Sequence, residues 1–216
     1  MDFLSSRIHR IKPSATLAMT AKAAELKRNK KPVYNLSVGE PDFPTPKHIQ
    51  DAGIFAIQNG HTKYTPGSGT VDLKEAIINK LKRDNNIKYS LNEIVVSCGG
   101  KHSLYNACQA LFQKDQEVII FSPYWVSFPD FVSVTGATPI FVKTLSHKQF
   151  EPDFNDLEKK ITHKTKGIII NSPSNPTGGV WSDDAILQLI DLCKKRPDIW
   201  IFSDECYQQL TYNKKF

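Results

Sequence analysis

From about residue 45 onward the chain alternates short apolar runs with longer stretches in which apolar residues recur every three or four positions. The runs are Ile94-Val95-Val96, Val118-Ile119-Ile120-Phe121, residues 139–142, Ile168-Ile169-Ile170 and Trp200-Ile201-Phe202. Each is short, rich in β-formers and apolar at successive positions, so each predicts a strand buried on both faces. Leu73, Ala76, Ile77 and Leu81 fall on one helical face and predict a helix over 70–84. A preceding helix is bracketed by Thr45 as N-cap, Pro46 at N1 and Gly60 at C′. Further helices are expected over 101–112 and near 153–161 and 182–195. Strands of this kind separated by helices predict an α/β fold, a mainly parallel sheet covered on both sides.

Residues 1–44 have a different pattern. An amphipathic helix over 14–30 leads into an extended stretch and a proline-studded loop, Gly39-Glu40-Pro41-Asp42-Phe43-Pro44. The expected organisation is an N-terminal arm or small-domain segment over 1–44 and a main domain over 45–216. No internal repeat or low-complexity tract interrupts it.

Composition narrows the function classes. The chain has 216 residues and a formal charge of +6. Its basic residues are dispersed: Lys74, Lys80, Lys82, Lys159 and Lys166 read as solvated faces, several beside acids, which argues against nucleic acid as a partner. Cys98, Cys108, Cys193 and Cys206 lack paired metal-type spacing and lie in or beside apolar segments, so buried thiols in a reducing compartment are expected. The first residues lack the apolar core of a signal peptide, and no apolar run approaches the ~20 residues that span a bilayer. A cytoplasmic protein with no membrane partner is the expectation. The six histidines show no ligand spacing, and no metal site is expected.

Four places carry candidate chemistry. Cys98-Gly99-Gly100-Lys101 joins a predicted strand to a helix, where backbone N–H groups and the helix dipole favour an anion such as phosphate, although glycine there also serves plain turn geometry. Tyr64-Thr65-Pro66-Gly67-Ser68-Gly69 is either a polar binding loop or a surface turn. Ser122-Pro123-Tyr124-Trp125 follows a strand, and Trp125 suits either stacking on a flat ring or the core. Asn175, in Asn171-Ser172-Pro173-Ser174-Asn175-Pro176-Thr177-Gly178, and Asp204 and Tyr207, in Ser203-Asp204-Glu205-Cys206-Tyr207, fall at the ends of two apolar runs. An open α/β sheet places its ligand there. A desolvated Asp204 needs a cation or donors, and a protonated pyridine nitrogen would meet that need; helix N-capping is the other reading. Tyr207 and Asn175 are placed to reach a neighbouring ring oxygen.

Taken in order with Lys12-Pro13-Ser14-Ala15-Thr16, Gly39-Glu40-Pro41-Asp42-Phe43 and Lys63-Tyr64-Thr65-Pro66, these strings run the length of the chain. Together they resemble the fold-type I pyridoxal-phosphate enzymes, specifically class I/II aminotransferases and the bacterial aspartate/prephenate subgroup. The resemblance implies a three-layer sandwich that is part of the family's large domain, with pyridoxal 5'-phosphate as cofactor and a homodimer as the full-length form. It places Gly99, Gly100 and Lys101 at the cofactor phosphate, and Tyr64 at the phosphate of the neighbouring subunit. It sets Trp125 on the ring, Asp204 at the ring nitrogen, and Asn175 and Tyr207 at the ring oxygen. Gly39, Trp125, Asn175, Lys101 and Lys12 match substrate-binding positions, and the Asn175–Pro176 peptide is expected to be cis. The implied reaction moves an amino group from an amino acid, L-aspartate first and glutamate or prephenate next, to 2-oxoglutarate by a ping-pong mechanism. Aminotransferases of aromatic or neutral amino acids, and a non-catalytic protein on the same scaffold, are the alternatives.

The resemblance also implies groups that these residues do not match. The family's Schiff-base lysine, the phosphate-binding arginine after it and a substrate-clamping arginine near the C-terminus all fall beyond Phe216. The expectation is therefore half an active site, with no catalytic residue of its own, that exposes an unpaired sheet edge and does not transaminate alone.

Overall fold

The structure, a computed structural model, describes residues 3–11, 13–36, 39, 43–210 and 212. Lys12 and most of the Gly39-to-Asp42 string thus lie outside the described residues. The chain forms two compact units, one comprising the described residues of Met1–Lys12 and Cys98–Phe216, the other Pro13–Ser97.

The unit of residues 13–97 is helical. Helix α1 (Ala15–Arg28) starts at Ser14, whose side chain accepts from the Leu17 N–H at 3.3 Å. Helix α2 (Lys47–Gln58) begins one residue later than expected. Pro46, not Thr45, is the N-cap, because its extended ψ of 140° presents its carbonyl to the Ile49 and Gln50 amides. Gly60 (φ +76°) follows the C-cap as expected. Helix α3 (Val71–Asn85) matches the 70–84 pattern. Two expectations fail in this unit. Ile94-Val95-Val96 is extended but is not a strand: the Val96 N–H goes to Ser68 O at 3.0 Å, Val95 is 67% exposed, and no strand pairs with it among the described residues. Lys74 is buried rather than solvated, with its Nζ donating to Ser68 Oγ at 3.1 Å.

The other unit carries the sheet. Its elements run α4 (Gly100–Leu111), β1 (Glu117–Ser122), α5 (Phe128–Thr135), β2 (Thr138–Leu145), β3 (Glu151–Pro152), α6 (Phe154–Lys160), β4 (Thr165–Asn171), α7 (Asp183–Lys194) and β5 (Trp200–Asp204). The strand order is β3-β2-β1-β4-β5, parallel throughout except for the short β3 against β2. Helix α5 and strand β3 are additions to the pattern expected from sequence.

Strand alternation divides the core between the two faces of the sheet. Ile119, Phe121, Ile168 and Ile170 pack with Leu157 of α6 and with Ala185, Leu189 and Cys193 of α7. Val118, Ile120 and Ile169 pack on the other side with Cys108 and Phe112 of the α4 end and Phe128, Phe131 and Val132 of α5. The three layers are those expected. Gly167 in β4 is required by this packing, since a Cβ there would lie 2.4 Å from Phe112 Cζ. At the far edge β5 pairs with β4 alone among the described residues, and Trp200 and Ile201 are 57% and 44% exposed.

The thiols divide evenly, which corrects the expectation that all are buried. Cys108 and Cys193 are buried, whereas Cys98 and Cys206 are exposed because both sit just past the apolar runs, on loops. Burial pushes the Cys108 thiol up to about 12 and raises that of Cys193. A thiol reagent under native conditions should therefore label Cys98 and Cys206 and spare the other two until the chain unfolds. Rapid native labelling of Cys108, read by mass spectrometry, would contradict this packing.

Candidate functional site

Between β1 and β4 the strand order reverses, because the chain leaves β1 toward β2 and returns on the opposite side. The C-terminal ends of neighbouring parallel strands diverge at such a point and leave a crevice for a ligand. Ser122-Pro123-Tyr124-Trp125 follows β1 there, and Asn171 to Gly178 follows β4. Pro123, Tyr124, Thr144, Asn171, Ser174 and Asn175 line a small cavity at this place. The Ser122–Pro123, Ser172–Pro173 and Asn175–Pro176 peptides are cis, the last as expected.

Asn175, Asp204 and Tyr207, named from sequence at the ends of β4 and β5, are joined by one hydrogen-bond network, Asp204 through its backbone carbonyl. Asn175 Nδ2 donates to the Tyr207 hydroxyl at 3.1 Å. The Asn175 backbone N–H donates to Asn171 Oδ1 at 2.8 Å, and Asn171 Nδ2 donates to the Asp204 carbonyl at 3.0 Å. Asn171 and Asp204 are direct partners in the β4–β5 register, which makes this bridge short. Asn171 is not singled out by the sequence reading. Its signal is a terminal polar residue on an otherwise apolar strand, four residues before Asn175.

Asp204 is half-buried, and burial pushes its carboxyl above the ordinary range. The Cys206 N–H, donating to Asp204 Oδ1 at 3.2 Å, opposes that shift, and the neighbouring Glu205 charge adds to it. Both readings of Asp204 are therefore present: a local cap and a poorly solvated charge. No ion pair to this carboxylate occurs among the described residues. A desolvated carboxylate with one amide donor has the environment that a ligand cation would relieve.

At the start of α4, Gly99 is the N-cap with φ +85°, a conformation that a side chain would strain. A Cβ at Gly99 or Gly100 would meet nothing within 4 Å, so neither glycine is required by side-chain crowding. Lys101 is exposed, and its Nζ lies 5.0 Å from the Trp125 ring centroid, within cation–π range. Trp125 is half-buried and held edge-to-face by Phe128 at 5.4 Å and by Phe131 at 5.8 Å. The ring is thus anchored by the core, with the Lys101 ammonium beside it.

Tyr64 and Gly39 belong to the other unit, where Tyr64 is fully exposed. Lys12 lies outside the described residues. Among the described residues, no group of three or more His, Cys, Asp or Glu could hold a metal, and no helix is long and apolar enough to cross a membrane. The sequence-named residues thus fall into two groups, Asn175, Asp204 and Tyr207 in the network at the ends of β4 and β5, and Lys101 beside Trp125 at the start of α4.

The same residues fall within known relatives. The profile of the family described as aminotransferase class I and II matches residues 31–216. The chain is 46% identical over 212 residues to an aspartate aminotransferase of Bacillus subtilis, covering 98% of this chain and 54% of that protein. It is 48% identical over 207 residues to an aspartate/prephenate aminotransferase of Nitrosomonas europaea, covering 96% and 52%. Its fold superimposes with a TM-score of 0.95 on the aspartate aminotransferase of Thermus thermophilus solved with maleate, at 40% identity, covering 100% of this chain and 56% of that one. The chain spans about half the length of the curated relatives it matches.

Proposed function

The chain belongs to the class I and II aminotransferase family, and from that premise we propose that it forms the cofactor-cradling part of a transaminase acting on L-aspartate. The family depends on pyridoxal phosphate. When bound, this cofactor supplies an electron sink for negative charge at a substrate α-carbon. The amino group passes to 2-oxoglutarate by a ping-pong route, with glutamate and prephenate as further substrates. The proposal also takes in a homodimeric, cytoplasmic protein in which residues 1–44 serve as an arm and 45–216 as the cofactor-binding domain.

The observation that carries this reading is a desolvated Asp204 carboxylate, without an ion pair among the described residues, whose backbone carbonyl lies in one network with Asn175 and Tyr207. Asp204 would hold a proton on the ring nitrogen, because a carboxylate in poor solvent favours a cationic neighbour. Asn175 and Tyr207 would present donors to the ring oxygen, and Trp125 would cover the ring face and exclude water. Gly99, Gly100 and Lys101 would bind phosphate through backbone N–H groups and a nearby ammonium. Lys101 is then also available to a distal substrate carboxylate, with Lys12 and Gly39 contributing to substrate binding and Tyr64 reaching a neighbouring subunit's phosphate. No lysine among the 216 residues matches the family's Schiff-base position, so these residues alone would not transaminate.

The test is steady-state turnover of aspartate, alanine and phenylalanine by the full-length protein with 2-oxoglutarate. Aspartate should lead by about tenfold or more, the scale set by one charge-assisted contact. Equal rates discard the acidic preference, and no turnover of any of the three discards the transaminase reading. Borohydride reduction of residues 1–216 with pyridoxal phosphate should leave no stoichiometric adduct at a single lysine.

A further inference from the structure

Each of the two strands that deliver the proposed ring contacts ends in a polar residue, and these terminal residues are register partners, Asn171 on β4 and Asp204 on β5. The Asn171 side chain uses both ends of its amide. Its Nδ2 donates to the Asp204 carbonyl at 3.0 Å, and its Oδ1 accepts from the Asn175 N–H at 2.8 Å. Asn171 is half-buried, so neither bond is easily replaced by water. The shape of this residue suits the task. The Asn amide carries a donor and an acceptor on one planar group, and each is spent on the backbone of a different proposed cofactor-binding residue.

We propose that Asn171 is a positioning residue, a side-chain clamp that fixes the Asp204 and Asn175 backbones relative to each other and so sets how both meet the cofactor ring. The proposal rests on the reading of this site as a pyridoxal-phosphate cradle. Asn171 itself touches no reacting atom. Its effect runs through Asp204, whose approach to the ring nitrogen sets that nitrogen's proton affinity, and through Asn175, whose side chain also holds Tyr207 at 3.1 Å. Slack of a few tenths of an ångström at the strand ends would weaken both contacts together, because one amide serves both. A residue with a purely structural role would instead change stability and leave the cofactor's spectrum alone.

The experiment uses full-length protein and three variants. Asn171→Ala removes both bonds. Asn171→Ser keeps a polar group in place but is too short to span the two partners, and it decides the matter if the alanine variant does not fold. Ser172→Ala is the control, since Ser172 is buried next door and its Oγ accepts from the Trp181 N–H at 3.1 Å, away from the network. Three quantities are read: the pyridoxal-phosphate dissociation constant, the pH midpoint of the bound cofactor's visible absorbance, and the melting temperature without cofactor. Asn171→Ala should weaken cofactor binding by roughly tenfold, the scale of losing one or two part-buried hydrogen bonds, and should shift the spectral midpoint. Asn171→Ser should move both in the same direction. Ser172→Ala should lower the melting temperature and move neither. Unchanged affinity and midpoint in the Asn171 variants, in protein whose parent binds cofactor, overturn the clamp alone. A parent that binds no cofactor overturns the cradle reading, and the clamp with it.

Discussion

Replacing Asp204 by Asn is expected to cut transamination by the full-length protein on the order of 10³-fold while making the cofactor-free protein more stable. Both effects come from one carboxylate. Removing one partner of a buried charge pair costs about 3–5 kcal/mol, and each ~1.36 kcal/mol is a decade in rate. The loss therefore falls near 10²–10⁴ if Asp204 is what holds the ring nitrogen protonated. Asn preserves the shape and the acceptor for the Cys206 N–H, so the change is one of charge. Without cofactor the balance reverses. Burial raises the folded-state pKa of Asp204 above its unfolded value, so the native state holds this proton more tightly than the unfolded chain. Stability is then lost as pH rises through that interval, and above it the ionised carboxylate is a standing penalty. Melting curves without cofactor should place Asp204→Asn above the parent at pH 8. The gap should close as pH falls toward the ordinary carboxylate range, and a variant that melts below its parent at pH 8 would count against a desolvated Asp204.

Truncating Phe128 is expected to give the second large effect, one that begins in the core and reaches the site. Phe128 is 2% exposed and lies in the half-core formed by α4, α5 and one face of the sheet. Phe→Ala at such a position costs about 3–5 kcal/mol, the lost transfer energy plus the cavity left behind. Phe128 also meets Trp125 edge-to-face at 5.4 Å with an interplanar angle of 88°, so the same truncation removes one of the two rings that hold Trp125 in place. Phe128→Ala should lower the denaturant midpoint sharply and change the tryptophan emission of the native state. It should also raise the cofactor dissociation constant by more than a change of equal stability cost in the opposite half-core, such as Leu189→Ala. Equal effects of the two on cofactor binding would mean that Trp125 is not seated by Phe128.

Much of this was legible in the sequence because buried parallel strands announce themselves. Val118 to Phe121 and Ile168 to Ile170 have no polar face to disguise them, and both lie inside observed strands. The run at 94–96 has the same composition without a neighbouring strand among the described residues, and pattern alone does not report a partner. Helix α5 escaped for a different reason. It spans only eight residues, of which Phe128, Phe131, Val132 and Val134 are buried, too few turns for a 3.6-residue period to stand out between two strands. Lys74 misled because a lysine on a helix reads as solvated, whereas a hydroxyl at Ser68 six residues earlier makes burial tolerable. At the site, Asn175, Asp204 and Tyr207 were found through the type and placement of their side chains. Asn171 was not, since its amide serves two backbone groups and nothing in residue type or spacing advertises that.

The division of the core has a consequence for how this protein can change. The β-sheet is a partition: Leu157, Leu189 and Cys193 pack on one side of it, while Phe112, Phe128 and Phe131 pack on the other beneath Trp125. Among the described residues no buried side chain belongs to both clusters, so packing changes on the two sides should combine almost additively. Stability can then drift, or be engineered, beneath α6 and α7 while the aromatic cluster that seats Trp125 keeps its geometry. One layer is free to be a reservoir of stability, and the other is tied to the seating of Trp125.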